Sequence, residues 1–236
     1  NVNIDLISGM VGETWDNWKD NVRQTIDMSP ESVTIYQMEL PFNTVISKDI
    51  LDNHTESPVA DWTTKRAWVD DAFNEFLDAG YSVSSAYTVV KDPSKVNFSY
   101  RDNLWKGADL LATGIASFGH ASGVHYQNVP QLEQYLSTIE SGSLPLGRGY
   151  VPTEHQKLVR QMVLLLKRGY LQRDYFQQRF GIDIVAQWQK EWDQYVEDGW
   201  ATINDERIEL TRYGLLRVDA MLPTFFEPEH QNVRYT

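Results

Sequence analysis

Cysteine is absent from all 236 residues. Its absence excludes disulfides, thiolate zinc sites and a cysteine nucleophile. Basic residues are scarce, 21 Lys and Arg against 33 Asp and Glu, and the net charge of −12 repels phosphate backbones and anionic lipid surfaces. No local run of cations offsets that field. No apolar stretch reaches the roughly 18 residues of a membrane span, and no basic segment followed by an apolar signal core opens the chain. The expectation is a cytoplasmic protein with neither membrane nor nucleic-acid partners. No low-complexity segment occurs, and no repeat exceeds one βα unit. What is present is ample material for a core: 42% hydrophobic residues, 12% of the chain aromatic.

The chain opens on Asn3-Ile4-Asp5-Leu6-Ile7, an apolar run closed by Gly9 and Gly12 and followed by Thr14 as a helix cap. This reads as strand, loop and helix. Trp15, Trp18, Val22 and Ile26 recur at helical spacing until Ser29-Pro30. Ser32 to Leu40 reads as a second strand, and Pro41 to about Asp61 as a long polar loop that helps cover a site. A second helix, capped by Thr63 or Thr64, carries Trp68, Phe73 and Phe76 and stops at Gly80. Tyr81 to Val90 alternates as a strand, which gives a βαβ rhythm repeated about twice. A βα unit with no strand before it has an open edge, so the chain is expected to be the back part of a longer protein.

Lys91 to Lys106 reads as loop, Asp109 to Phe118 as the last strand of that sheet, Gly119 to Asn128 as loop, and Pro130 to Ile139 as a helix ended by Gly142. From Thr153 the pattern turns helical. Leu158, Met162 and Leu165 share one face, Tyr175, Phe176 and Phe180 a second, and Val185, Trp188, Trp192 and Val196 a third. Trp200 to Ile203 and Arg207 to Leu210 flank a turn, and Thr211 caps a last helix ending near Pro223. Three helices and a hairpin make a winged-helix-like module. Its third helix pits Glu191 and Asp193 against Lys190 and is faced with tryptophan, which suits packing better than a DNA groove.

Several chemistries lack their signatures. Gly9 and Gly12 have neither Walker nor dinucleotide spacing, and Ser8-Gly9 lacks the nucleophile-elbow frame of a serine hydrolase. His120 and His125 share a face only in a helix, and Gly119, Ser122 and Gly123 argue for a loop there, so no metal site is expected.

The ordered set of segments resembles one family. Asn3-Ile4-Asp5-Leu6-Ile7-x-Gly9 with Thr14, Tyr36-Gln37-Met38-Glu39-Leu40-Pro41, Leu110 to Phe118, Tyr126-Gln127-Asn128, Leu146-Gly147-Arg148-Gly149-Tyr150 and Leu210-Thr211-x-x-Gly214 resemble the oxygen-independent coproporphyrinogen oxidases, which are radical S-adenosylmethionine (SAM) enzymes. The resemblance implies an α/β fold: part of a (β/α) barrel of the radical SAM type over residues 1–150, then the helical, winged-helix-like cap over 151–236. It implies reductive cleavage of SAM to a radical that abstracts hydrogen, with a 4Fe–4S cluster held by cysteines this chain does not have. The expected partners are therefore a missing N-terminal half of the same protein and a small-molecule substrate, a tetrapyrrole among the candidates. It carries SAM contact onto Asp5, Met38 and Phe118; ordinary structural roles are the alternative for each. Glu39, where the second strand enters the barrel mouth, and Arg148, a donor suited to propionates, are the candidate substrate residues. Glu13 stands where the family has glutamine. Arg101-Asp102-Asn103-Leu104-Trp105 replaces the histidine motif of the haem-chaperone branch, and with it the axial ligand. The alternative function is a cluster-free tetrapyrrole or haem carrier.

Overall fold

The computed structural model describes residues 1–41, 44–53 and 58–231. Compactness divides the chain into two units: residues 1–97 with 166–173 and 185–236, and residues 98–165 with 174–184. These divisions cut across the sequence boundary at residue 150.

Unit one is built on β1 (Asn3–Ser8), α1 (Trp15–Met28) and β2 (Ser32–Gln37). Local chemistry sets the ends of α1. The Thr14 side chain accepts from the Asn17 N–H, and Ser29 adopts a left-handed conformation that returns its N–H to the carbonyls of Thr25 and Ile26. β1 and β2 pair in parallel from Asn3–Ser32 through Ser8–Gln37. Next come α2 (Val45–Asn53), α3 (Trp62–Asp78), β3 (Ser82–Ser85) and β4 (Thr88–Val90).

The structure corrects three expectations here. The long polar loop contains α2 within its described residues. Asp61, not Thr63 or Thr64, caps α3 by accepting from the Thr64 N–H. The third strand is a hairpin: β4 folds back between β2 and β3 and pairs antiparallel with both, so the sheet order is β1-β2-β4-β3 and only its first pair is parallel.

Helices α1 and α3 bury one face of this sheet. Trp18 and Val22 meet Trp68, Val69, Ala72, Phe73 and Phe76 over Val33, Ile35 and Val89. Trp18, 1% exposed, donates its indole N–H to the Trp68 carbonyl at 2.7 Å, which fixes α1 against α3. Later segments join the same unit. Arg212 holds Asp70 at 2.8 Å and stacks on Phe73, the Tyr87 hydroxyl donates to Asp219 at 2.6 Å, and the Ala86 N–H donates to the Lys167 carbonyl. Trp192, Phe225 and Tyr195 form a second aromatic cluster.

Unit two contains α4 (Ser99–Trp105), where a loop was expected, and the antiparallel sheet of β5 (Phe118–Ala121), β6 (Val124–Asn128) and β7 (Leu146–Tyr150), with α5 (Leu132–Glu140) between β6 and β7. Of the expected strand from Asp109 to Phe118, residues 109–117 are irregular, with the Leu110–His120 bridge, and Phe118 opens β5; the expected loop from Gly119 to Asn128 is the β5–β6 hairpin. Side chains satisfy the irregular backbone: Ala112 N–H donates to the Tyr126 hydroxyl, Gly114 N–H to the Tyr135 hydroxyl, and Asn128 Nδ2 donates to two carbonyls.

Downstream run α6 (Glu154–Leu166), β8 (Tyr170–Gln172), α7 (Arg173–Phe180), α8 (Ile184–Gln187), α9 (Gln189–Glu197), β9 (Ala201–Ile203), β10 (Arg207–Leu210), α10 (Arg212–Leu215) and α11 (Val218–Met221), with β10 paired antiparallel to both β8 and β9. The expected third helix breaks at Trp188, and the last helix breaks at Leu216–Arg217 and ends in a 3-10 turn.

Replacing Trp18 by Phe removes the indole donor and leaves a small void. The expected cost is about 1–3 kcal/mol, read as a lower urea midpoint with an unchanged slope.

Candidate functional site

Strand alternation sorts the residues of β1 and β2. Val33 and Ile35 lie in the helix-covered core, whereas Asn3, Asp5, Ile7 and Tyr36 project from the other face and are exposed. Met38 continues that phase one residue beyond β2, half-buried, so the structure brings Asp5 and Met38 onto one uncovered face. Asp5 accepts from Asn3 Nδ2 at 2.6 Å and keeps its remaining lone pairs open. Glu39 falls in the opposite phase and is exposed.

Past the strand ends, Met38 N–H donates to the Ser8 carbonyl at 2.8 Å, adding one rung to the parallel ladder. The Met38 carbonyl accepts from Lys65 Nζ at 2.7 Å. Lys65, 3% exposed, comes from the first turn of α3 and lies 3.7 Å from the centre of the Trp62 ring. Burial pushes its ammonium below the ordinary value of 10.5, against the pull of Glu39 and Asp61. The glycine after β1 makes room for it. Gly9 has φ +84°, and a Cβ there would meet Lys65 Cδ at 2.5 Å. Its N–H and that of Met10 donate to Glu13 Oε2 at 2.7 and 3.2 Å, so Glu13 is committed to shaping the loop. The Ser8 hydroxyl and Gln37 Oε1 are buried without a hydrogen-bond partner among the described residues.

In unit two the structure brings Phe118 and Arg148 together. Phe118 is 66% exposed, so it is not a core residue. The Arg148 guanidinium lies 6.0 Å from its ring, and Arg148 Nε donates to Gln127 Oε1 at 2.7 Å. Both line a cavity of about 350 Å³ that includes His125. Arg148 also borders a cavity of about 710 Å³ with apolar walls from Leu111, Val124, Leu144 and Leu146, a size and character that suit a small organic ligand. His120 and His125 face each other across the β5–β6 hairpin with ring centres 4.4 Å apart. That register, not a helix, sets them side by side.

No family model matches the chain. An oxygen-independent coproporphyrinogen III oxidase of Helicobacter pylori is 23% identical over 95% of this chain and 51% of that protein. A haem chaperone HemW of Mycobacterium tuberculosis is 24% identical over 94% and 54%. Among solved structures, the coproporphyrinogen III oxidase HemN of Escherichia coli, a radical SAM enzyme, superposes with a TM-score of 0.73 at 16% identity, covering 94% of this chain and 54% of that one. The chain is similar to part of the oxygen-independent coproporphyrinogen III oxidases. It spans about half the length of the curated relatives it matches, and its fold is that of the radical SAM enzyme over nearly its whole length. Among the described residues, no helix is long and apolar enough to cross a membrane.

Lys65 is the rim residue that sequence reading missed. A lysine in a first helical turn reads as solvated, and only the left-handed Gly9 hints at a side chain passing close by. Gly12, at φ +72°, has nothing within 4 Å of an added Cβ, so Gly12→Ala is expected to cost about 1 kcal/mol. Gly9→Ala adds a collision with Lys65 and is expected to cost roughly 2–4 kcal/mol; paired urea titrations of the two variants measure the difference. Because the Lys65 pKa is lowered on folding, its burial penalty is full below that lowered value and fades as pH rises to 10.5. Lys65→Met should therefore flatten the alkaline gain in stability, seen as a urea midpoint that no longer climbs toward that pH.

Proposed function

We propose that this chain is the C-terminal portion of a coproporphyrinogen-oxidase-like radical SAM oxidoreductase and supplies part of its SAM and substrate cavity. The observation that carries the reading is end-to-end similarity to about half of such proteins, combined with an uncovered sheet face at the strand ends where parallel barrels build their sites. On this reading residues 1–150 contribute the barrel portion. Residues 151–236, which run as helix, strand, three helices and hairpin before the last short helices, form a winged-helix-like cap.

The residues present suit SAM. Asp5 is an exposed acceptor, Met38 offers a half-buried thioether on the same face, Phe118 an exposed ring, and the unpartnered Ser8 hydroxyl lies at the same strand end. The Met38 backbone is largely committed, its N–H to Ser8 and one lone pair of its carbonyl to Lys65; adenine contact there would use the side chain or the second lone pair. Bound SAM supplies, on reductive cleavage, the radical that removes hydrogen from a substrate carbon. In unit one, Asp5 would hold SAM through its carboxylate; in unit two, Phe118 offers an exposed ring. Glu39 is the candidate substrate residue of unit one and Arg148 that of unit two, the latter through charge-assisted bonds to carboxylates such as tetrapyrrole propionates. An iron–sulfur cluster does not fit this chain, which offers no thiolate, so no step here runs through one and catalysis belongs to the parent protein.

The similarity to haem chaperones favours a second reading, a tetrapyrrole or haem carrier. One experiment separates the two. The chain, joined to a cysteine-bearing upstream half and reconstituted without oxygen, is expected to cleave SAM, and Asp5→Ala to weaken SAM binding about tenfold. A folded, reconstituted protein that leaves SAM intact but binds haem stoichiometrically would establish the carrier instead.

A further inference from the structure

Cations far apart in sequence meet in unit two. Lys157 and Arg160 lie on one face of α6, Arg179 sits near the end of α7, and with His120 of β5 they line a cavity of about 290 Å³. The two carboxylates that reach it are already engaged. Asp109 accepts from the Ser122 N–H at 3.2 and 3.3 Å, and Glu154 pairs with Lys157 at 2.7 Å. Arg160 is left without a hydrogen bond or ion pair among the described residues. Its pKa is lowered by burial and then by the charge of Arg179. His120 Nδ1 is buried and likewise has no partner. In a chain of net charge −12, a half-buried guanidinium facing another cation is a cost that a ligand must offset.

The cavity is also held open. Gly107, at φ +87°, borders it, and a Cβ there would meet Gln161 Oε1 at 2.5 Å and Arg179 Nη2 at 3.3 Å. Gln161 is buried and fixed by its Nε2 donating to the Trp105 carbonyl. One wall of the cavity is therefore fixed before any ligand arrives.

We propose that this cavity binds an oxyanion of two or more negative charges, borne by a phosphate group or by clustered carboxylates. Arg160 and Arg179 present planar forks that match such oxygens, and Lys157 and His120 supply further donors. The assignment is independent of the SAM reading, because it concerns separate residues and needs no cysteine-bearing half.

The test titrates inorganic phosphate and, separately, tricarballylate into the full chain at low salt, followed by calorimetry. Binding of at least one is expected, with Arg160→Gln and the exposed Arg179→Gln each weakening it about tenfold or more. Asp109→Asn, which removes a competing negative charge, should strengthen it. The His120 imidazole, held below its ordinary value by burial, Arg160, His125 and Lys157 against Asp109, should titrate higher by NMR in the bound form. Tighter phosphate binding assigns a phosphorylated ligand, and tighter tricarballylate binding a polycarboxylate. No binding of either probe, or equal binding by the wild-type chain and a folded Arg179→Gln, overturns the proposal.

Discussion

The parallel pairing of β1 with β2 is the constraint on which the rest depends. A parallel pair cannot be joined by a tight turn, so a crossover connection is required, and α1 provides it. Its return across one face of the sheet commits that face to the core and leaves the other to Asp5, Ile7 and Tyr36. Parallel pairing also carries both strand ends to the same edge, where Ser8, Gly9 and Met38 meet and Lys65 is drawn in beneath them. Core and rim are thus two consequences of one pairing.

The local elements were readable because their signals are local. Thr14, the tryptophan spacing and Ser29 specify α1 within about one turn of each end. The cap of α3 was misplaced by two or three residues because Asp61, Thr63 and Thr64 share the same capping chemistry and sequence does not rank them. Asp109 to Phe118 has strand-like composition, yet its backbone groups bond to Tyr126, Asn128 and Tyr135, 14 to 21 residues away. A window over the segment itself carries no trace of those partners. For the same reason Gly119 to Asn128 read as loop: its glycines mark a hairpin turn, and the pairing that makes it a sheet comes partly from Leu146 to Tyr150.

The candidate residues divide similarly. Asp5 and Met38 share a face by strand alternation alone, so their common placement was implicit in the pattern. Phe118 and Arg148 meet only through the β5-β6-β7 register. The convergence of Arg160, Arg179 and His120 is invisible in the sequence, since neither net charge nor any short run of residues signals cations of two helices brought beside a strand histidine.

The antiparallel return of β4 has a directional consequence. By lying between β2 and β3, it leaves β3 running in the direction of β1 and β2 but separated from them by one reversed strand. The uninterrupted parallel pair ends at β1, whose outer hydrogen-bonding groups have no strand beside them among the described residues. A strand laid beside β1 in its own direction would lengthen that pair into a parallel array, whereas one laid beside β3 would stand apart from it.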